Sequence, residues 1–378
     1  MKNGNNFNTN PSKPKILIAP LDWGLGHATR CIPIINEFIS LNCEVLIAAS
    51  GDSFFLLKKE FPNQVILRIA GYKIKYSRNK RWLPVRLLLQ SPHLFVFIYK
   101  EHRWLKKATK KYRIDAVISD NRFGMFAKNI PCIYITHQLL IKTGNRFSEK
   151  ILQKIHYYFI KKFNHCWVPD HRENGIAGEL SHQQNKPTNI LYTGPLSRFE
   201  ALENIPIIYD IIISISGPEP QRSIFEKIIL AQIKFTEKKI LIVRGLPGIN
   251  EVLPQENASV KIVNHLSSSE LNKAFHQSKI VISRSGYTTI MDLMKIKKKA
   301  VLVPTPGQTE QEYLAYYLMK SGFFYSVDQN KFSLDSTINE ALSFSFNTLS
   351  SSMYDYKKII GEFVQSVKSG SSAINYLV

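Results

Sequence analysis

KILIAPLDWGLGHATRCIPIINEF, residues 15–38, decides the reading of the fold. Lys15 to Pro20 is a near-continuous apolar run, the pattern of a strand covered on both faces. Gly24 and Gly26 then allow positive φ and close backbone approach. A helix pattern follows from His27. Strand, glycine turn and helix together form the opening unit of a parallel α/β sheet. The helix start offers free N–H groups and the positive end of the dipole, a ready anion site, and His27 stands beside it.

The same alternation runs on. CEVLIAAS, QVILRIA, DAVISD, CIYITH, HCWVPD and NILYTG read as further strands, with TRCIPIINEFISLN and FSEKILQKIHYYFIKKFN as helices between them. YTGPLSRFEALENIP breaks the rhythm, and YDIIISISG, KKILIVRG, SVKIVNHL, KIVISRSG and KAVLVPTP restart it. The expectation is α/β: two doubly wound Rossmann-like domains facing a cleft, where such sheets bind ligands. The boundaries expected are a polar tail over 1–14, a first domain over 15–196, a linker over 197–206 and a second domain over 207–349. A polar helix over 350–378 is free to pack back on the first domain.

The 378 residues, 44% of them hydrophobic, suffice for two cores. The tail lacks the apolar segment of a signal peptide. Cys31, Cys43, Cys132 and Cys166 are scattered, without CxxC or zinc spacing, as in a reduced cytoplasmic chain. The net charge of +21 calls for an anionic partner. Between Gly71 and Arg113 lie thirteen Lys and Arg against one acid, Glu101, interleaved with WLPVRLLL and HLFVFIY. Basic, aromatic and apolar residues mixed in this way suit the surface of an anionic membrane. Pro84, Arg86, Gln90, Pro92 and His93 break the segment too often for a span.

A dinucleotide fingerprint would need a third glycine, and Thr29 stands there. Two later stretches point elsewhere. ISRSGYTTIMDL, 282–293, is again strand, glycine turn and helix, with Asp292 spaced to accept from a ribose diol. VPTPGQTEQEYL, 303–314, sets Gln311 and Glu312 at a helix start, a pair suited to sugar hydroxyls.

With these motifs the chain resembles the GT-B glycosyltransferases. It is most similar to glycosyltransferase family 28, which includes the lipid I N-acetylglucosaminyltransferase of peptidoglycan synthesis. The resemblance spans about residues 15–345 and implies a nucleotide-sugar site in the second domain. There it assigns Arg284, Ser285, Gly286, Thr289 and Asp292 to the nucleotide, with Asp where the family has Glu, and Thr288 adds a donor at the same helix start. Ser216 and Gly217 fall to the diphosphate turn, Leu266 to the base, and Gln311 with Glu312 to the donor sugar. It also implies that His27 is the catalytic base. Gly24, Gly26, Asp120, Asn121, His137 and Gln138 line the acceptor side.

The function expected is inverting, metal-independent transfer of a hexose or N-acetylhexosamine from a UDP-sugar to an acceptor hydroxyl. The acceptor is expected to be lipid-linked or at the inner face of the cytoplasmic membrane. No cofactor beyond the donor and no specific nucleic acid are expected. A UDP-sugar hydrolase on the same scaffold is the alternative, and a basic nucleic-acid-binding protein a second.

Overall fold

The computed structural model describes residues 13–71, 83–142, 145–234, 236–251, 253, 257–347 and 356–370. Most of the expected tail, residues 1–12, lies outside them, as do residues 72–82 of the basic segment.

Among the described residues, the first sheet contains β1 (Lys15–Pro20), β2 (Glu44–Ala49), β3 (Val65–Arg68), β4 (Ala116–Asp120), β5 (Cys132–Ile135), β6 (His165–Val168) and β7 (Ile190–Tyr192). Their order is β3-β2-β1-β4-β5-β6-β7, with every pairing parallel. Helices α1 (Gly26–Ser40), α2 (Gly51–Glu60), α3 (Leu83–Tyr112) and α4 (Arg146–Ile160) connect the strands. The second sheet repeats the plan with β8 (Tyr209–Ser214), β9 (Ile240–Val243), β10 (Val260–Val263), β11 (Ser278–Ser283), β12 (Ala300–Leu302) and β13 (Tyr325–Ser326). Its order is β10-β9-β8-β11-β12-β13, again parallel throughout. Its helices are α5 (Gln221–Gln232), α6 (Ser268–His276), α7 (Tyr287–Lys295), α8 (Thr309–Lys320) and α9 (Leu334–Leu342).

Both faces of each sheet are covered, which explains the unbroken apolar strands. In β1, Ile16, Leu17, Ile18 and Ala19 are fully buried; Ile16 and Ile18 join one core cluster, Leu17 and Ala19 another. Strand order reverses between β1 and β4 and between β8 and β11. In such sheets ligands bind at these reversals, beyond the carboxyl ends of the strands. Register puts Pro20 beside Asp120 at the first reversal and Ser214 beside Ser283 at the second.

The segment between β7 and β8 has no helix or strand, yet it is fixed. Phe199 is buried against Phe275 of α6, with ring centroids 5.3 Å apart. The last helix, α10 (Tyr356–Lys368), departs from the expected polar character. Tyr356, Ile359, Ile360, Phe363 and Val364 form one buried stripe at helical spacing. Phe363 meets Phe38 of α1 and Trp167 of β6 edge-on. Helix α10 therefore packs over the first domain.

Glu101, the lone acid of the basic segment, is buried in α3 and pairs at 2.7 Å with Arg122. Arg122 also donates to the Pro20 carbonyl at 2.7 Å. This pair locks α3 to the carboxyl ends of β1 and β4, next to the site.

Candidate active site in the interdomain cleft

Gly24 adopts φ +72, the left-handed region the turn requires. Helix α1 begins at Gly26, so His27 is its second residue and Arg30 lies one turn on, along the same face. His27 Nδ1 is 3.0 Å from Asp120 Oδ1. Asp120 is fully buried and also accepts from Arg30 Nε at 2.9 Å and from Arg30 Nη2. Burial by itself raises the Asp120 carboxyl. Arg30 and His27 beside it outweigh that and hold it well below the usual carboxylate range. Asp120 Oδ1 and Arg30 Nη2 each lie 3.0 Å from His27 Nδ1. Arg30 Nη2 is already donated to Asp120 Oδ1, so the ionised carboxylate acts as the acceptor and favours the His27 tautomer that carries its proton on Nδ1. His27 Nε2 then keeps its lone pair, and it makes no hydrogen bond among the described residues.

Asn121 holds φ +57, and its amide donates to Asp120 Oδ1 at 2.9 Å. Its oxygen accepts from the buried Tyr134 hydroxyl at 3.1 Å. His137 is buried, stacked on Tyr287 of the second domain with centroids 4.2 Å apart. His137 Nε2 lies 2.7 Å from Glu310 Oε1, and the Gln138 amide reaches Glu310 Oε2. Asp120, Asn121, His137 and Gln138 thus gather at the cleft, and His137 Nε2 and the Gln138 amide are both spent on a carboxylate from the opposite domain. Further bonds cross the cleft: Thr288 Oγ1 to the Gly26 carbonyl at 3.0 Å, Tyr287 to the Pro169 carbonyl at 2.8 Å, and Ser268 Oγ to Glu60 at 2.8 Å.

In the second domain, Ser216 and Gly217 follow β8, and Gly217 takes φ +107. A Cβ there would lie 3.4 Å from Thr305 Oγ1. Thr305 Oγ1 and Arg284 Nε are buried and, among the described residues, make no hydrogen bond. Burial pushes the Arg284 guanidinium down to about 10. Gly286 caps α7, and Thr289 is partly exposed just inside that helix. Leu266 packs, half-buried, on the core below α6.

Several expected contacts require correction. Asp292 does not face open space for a ribose. It is 2% exposed beneath the connector and accepts from Ser197 Oγ at 2.8 Å and from the backbone and Nε of Arg198, each at 3.2 Å. Arg284 turns inward to the Val303, Pro304 and Gln221 carbonyls and to Gln329. Ser285 Oγ donates to the Gln311 carbonyl at 2.8 Å. Gln311 and Glu312 brace their own loop, accepting from the Thr305 and Gly307 amides, each at 3.0 Å. Sequence inspection passed over Arg30 and Glu310. Arg30 had a signal in its i,i+3 spacing from His27, and Glu310 in its place one residue before Gln311.

Among the described residues, no group of His, Cys, Asp and Glu side chains could hold a metal ion, and no helix is long and apolar enough to cross a membrane. The arrangement offers an imidazole lone pair backed by a buried carboxylate, facing glycine turns at two helix starts.

Comparison with known proteins places the chain in a family. The model of Glycosyl transferase family 1 matches residues 15–342. An uncharacterized glycosyltransferase of Methanosarcina acetivorans is 23% identical over 339 residues, 82% of this chain and 84% of that protein. In fold, the chain is similar to glycosyltransferase SnogD from Streptomyces nogalater, with TM-score 0.59 and 10% identity over 94% of this chain and 100% of that one. It is equally similar to spinosyn rhamnosyltransferase SpnG, with TM-score 0.60 and 13% identity over 95% and 96% of the two chains. The chain belongs to glycosyl transferase family 1, and it is a glycosyltransferase of GT-B fold.

Proposed function

We propose that the protein transfers a hexose or N-acetylhexosamine from a UDP-sugar to an acceptor hydroxyl by a single inverting displacement. The observation that carries this is the His27–Asp120 pair, placed where β1 and β4 diverge and opposite the glycine turns of the second domain. His27 Nε2 takes the acceptor proton as the acceptor oxygen bonds to the anomeric carbon. The bond from that carbon to the diphosphate breaks, and the diphosphate leaves with the electron pair. Asp120 stabilises the imidazolium that forms. The backbone amides of the 216–217 turn and of the α7 start face the leaving charge. The Thr305 hydroxyl, which makes no hydrogen bond among the described residues, lies beside the Gly217 turn and favours an anion there.

The test is product analysis with UDP-hexoses and UDP-N-acetylhexosamines. Acceptor-dependent UDP release with inverted anomeric configuration is the expected result. Free sugar released without any acceptor assigns the protein instead to hydrolysis, and retained configuration removes the single displacement.

The acceptor reading rests on a second observation. Along α4, Phe147, Ile151 and Tyr158 are exposed in one stripe with Lys150 and Lys154, and exposed Lys161 and Lys162 follow directly after the helix. Exposed Phe95, Val96 and Tyr99 of α3, with Lys100 and Arg103, adjoin them through the Phe95–Phe159 contact at 6.4 Å. Apolar rings among lysines suit an anionic bilayer surface, with the lysine stems lying along the apolar side chains. We therefore propose a lipid-linked acceptor, presented at the inner face of the cytoplasmic membrane. Of the segment 71–113 expected to make this contact, residues 72–82 lie outside the described residues, and α4 extends it. Sedimentation with phosphatidylglycerol vesicles that fades with salt is expected. Indifference to those vesicles at low salt assigns a soluble acceptor.

A further inference from the structure

A chain of hydrogen bonds links the base to the opposite domain, and Arg30 is its centre. Arg30 is 1% exposed, and all its donor groups are engaged. Nε and Nη2 hold the two oxygens of Asp120, whereas Nη1 lies 2.9 Å from His137 Nδ1. A guanidinium has no lone pair to offer, and among the described residues Nη1, unlike Nη2, has no carboxylate to take its proton, so His137 Nδ1 accepts. The proton of His137 is therefore on Nε2, where it is donated to Glu310 Oε1 at 2.7 Å. The tautomer of one buried histidine is fixed from both sides at once, by Arg30 of α1 and by Glu310 of α8. Glu310 belongs to the second domain, so the contact exists only when the cleft is closed.

We propose that Arg30 is a positioning residue that couples domain closure to the catalytic base, through the path Glu310–His137–Arg30–Asp120–His27. With the domains apart, His137 loses its acceptor at Nε2 and its ring is no longer held from that side, so its hold on the third N–H edge of Arg30 weakens. The fork on Asp120 then loosens, and with it the orientation of His27. With the domains together, Asp120 is clamped, and His27 Nε2 is aimed at the acceptor. Proton abstraction is in this way favoured when the donor domain is in place and water is excluded. Lysine could supply the charge of Arg30 but not three bonds in one plane.

This coupling rests on the transferase reading, and its test does not need turnover. Full-length protein labelled with ¹⁵N-histidine is examined by long-range ¹H–¹⁵N spectroscopy between pH 5 and 9. In the wild type, His137 is expected as the neutral Nε2–H tautomer at pH 7, and His27 as the Nδ1–H tautomer. Glu310→Ala should leave His137 in the tautomer that Arg30 dictates, yet shift the ring-nitrogen signals of His27, which Glu310 does not touch. Arg30→Lys should give mixed tautomers at both histidines. If Arg30→Lys fails to fold, Glu310→Ala alone decides, because its side chain lies at the cleft surface. His27 signals unchanged in folded Glu310→Ala, or His137 found as the Nδ1–H tautomer, would overturn the coupling. These spectra stand whether or not a UDP-sugar is the donor, so failure here is distinguishable from failure of the transferase reading. With a UDP-sugar in hand, Arg30→Lys should lower kcat at least tenfold with donor KM within threefold.

Discussion

Asp120 Oδ1 lies 3.0 Å from His27 Nδ1, although 93 residues separate the two in the chain. The β1–β4 pairing brings them together, since Pro20 and Asp120 are register partners at the ends of adjacent strands. If this imidazole is the base, His27→Ala should lower kcat by about 10²–10⁴-fold and leave nucleotide affinity nearly unchanged. Turnover within threefold of wild type would remove His27 from the chemistry.

Asp292 gives a different expectation. Its carboxylate is bound by Ser197 and Arg198 of the connector. Asp292→Ala leaves a buried cation without its partner, and breaking such a pair costs about 3–5 kcal/mol. Urea denaturation should show that loss of stability with or without nucleotide. Wild-type stability together with a selective loss of UDP affinity would return Asp292 to the ribose.

Much of the site was legible because strand ends are legible. ISDN and ITHQ each close an apolar run with polar residues, which put Asp120, Asn121, His137 and Gln138 at the cleft. The rotation of a helix about its axis was not legible in the same way. VPTPGQTEQEYL drew attention to Gln311 and Glu312, but both turn back to the 305–307 backbone, and it is Thr309, Glu310 and Tyr313 that cross to the first domain. Asp292 has ribose-like spacing from the glycine turn, yet it lies on the face of α7 that the connector covers. That cover comes from a segment without regular structure, whose path no periodicity reports.

Glu101 and Arg122 form a buried pair at 2.7 Å. Glu101→Ala should destabilise the protein by about 3–5 kcal/mol. Glu101→Gln, which keeps an acceptor, should cost less. Equal denaturation midpoints for wild type and Glu101→Ala would contradict the role of this pair in anchoring α3.

His156 is buried among Phe123, Tyr134 and Tyr157, and burial pushes it down to about 4. An unfolded histidine titrates near about 6.5. The native state thus prefers the neutral ring, and this stabilisation is complete above about pH 6.5 and declines as pH falls towards 4. At pH 5 the loss from this one residue should be about 2 kcal/mol relative to pH 7. His156→Phe should remove that part of the acid sensitivity, read as a smaller difference between urea midpoints at pH 7 and pH 5. An unchanged difference would place the acid-labile group elsewhere.

The central claim is that the second domain holds the nucleotide and the first domain holds the base. Calorimetric titration of UDP, with ADP and GDP as controls, into wild type, His27→Ala and Gly217→Val tests it most directly. Gly217 sits at φ +107 in the turn after β8 that is proposed to face the diphosphate, and a β-branched side chain is strained there. Selective UDP binding that His27→Ala preserves and Gly217→Val weakens at least tenfold is the predicted result. No nucleotide binding to wild type, or binding lost in His27→Ala and kept in Gly217→Val, would contradict it.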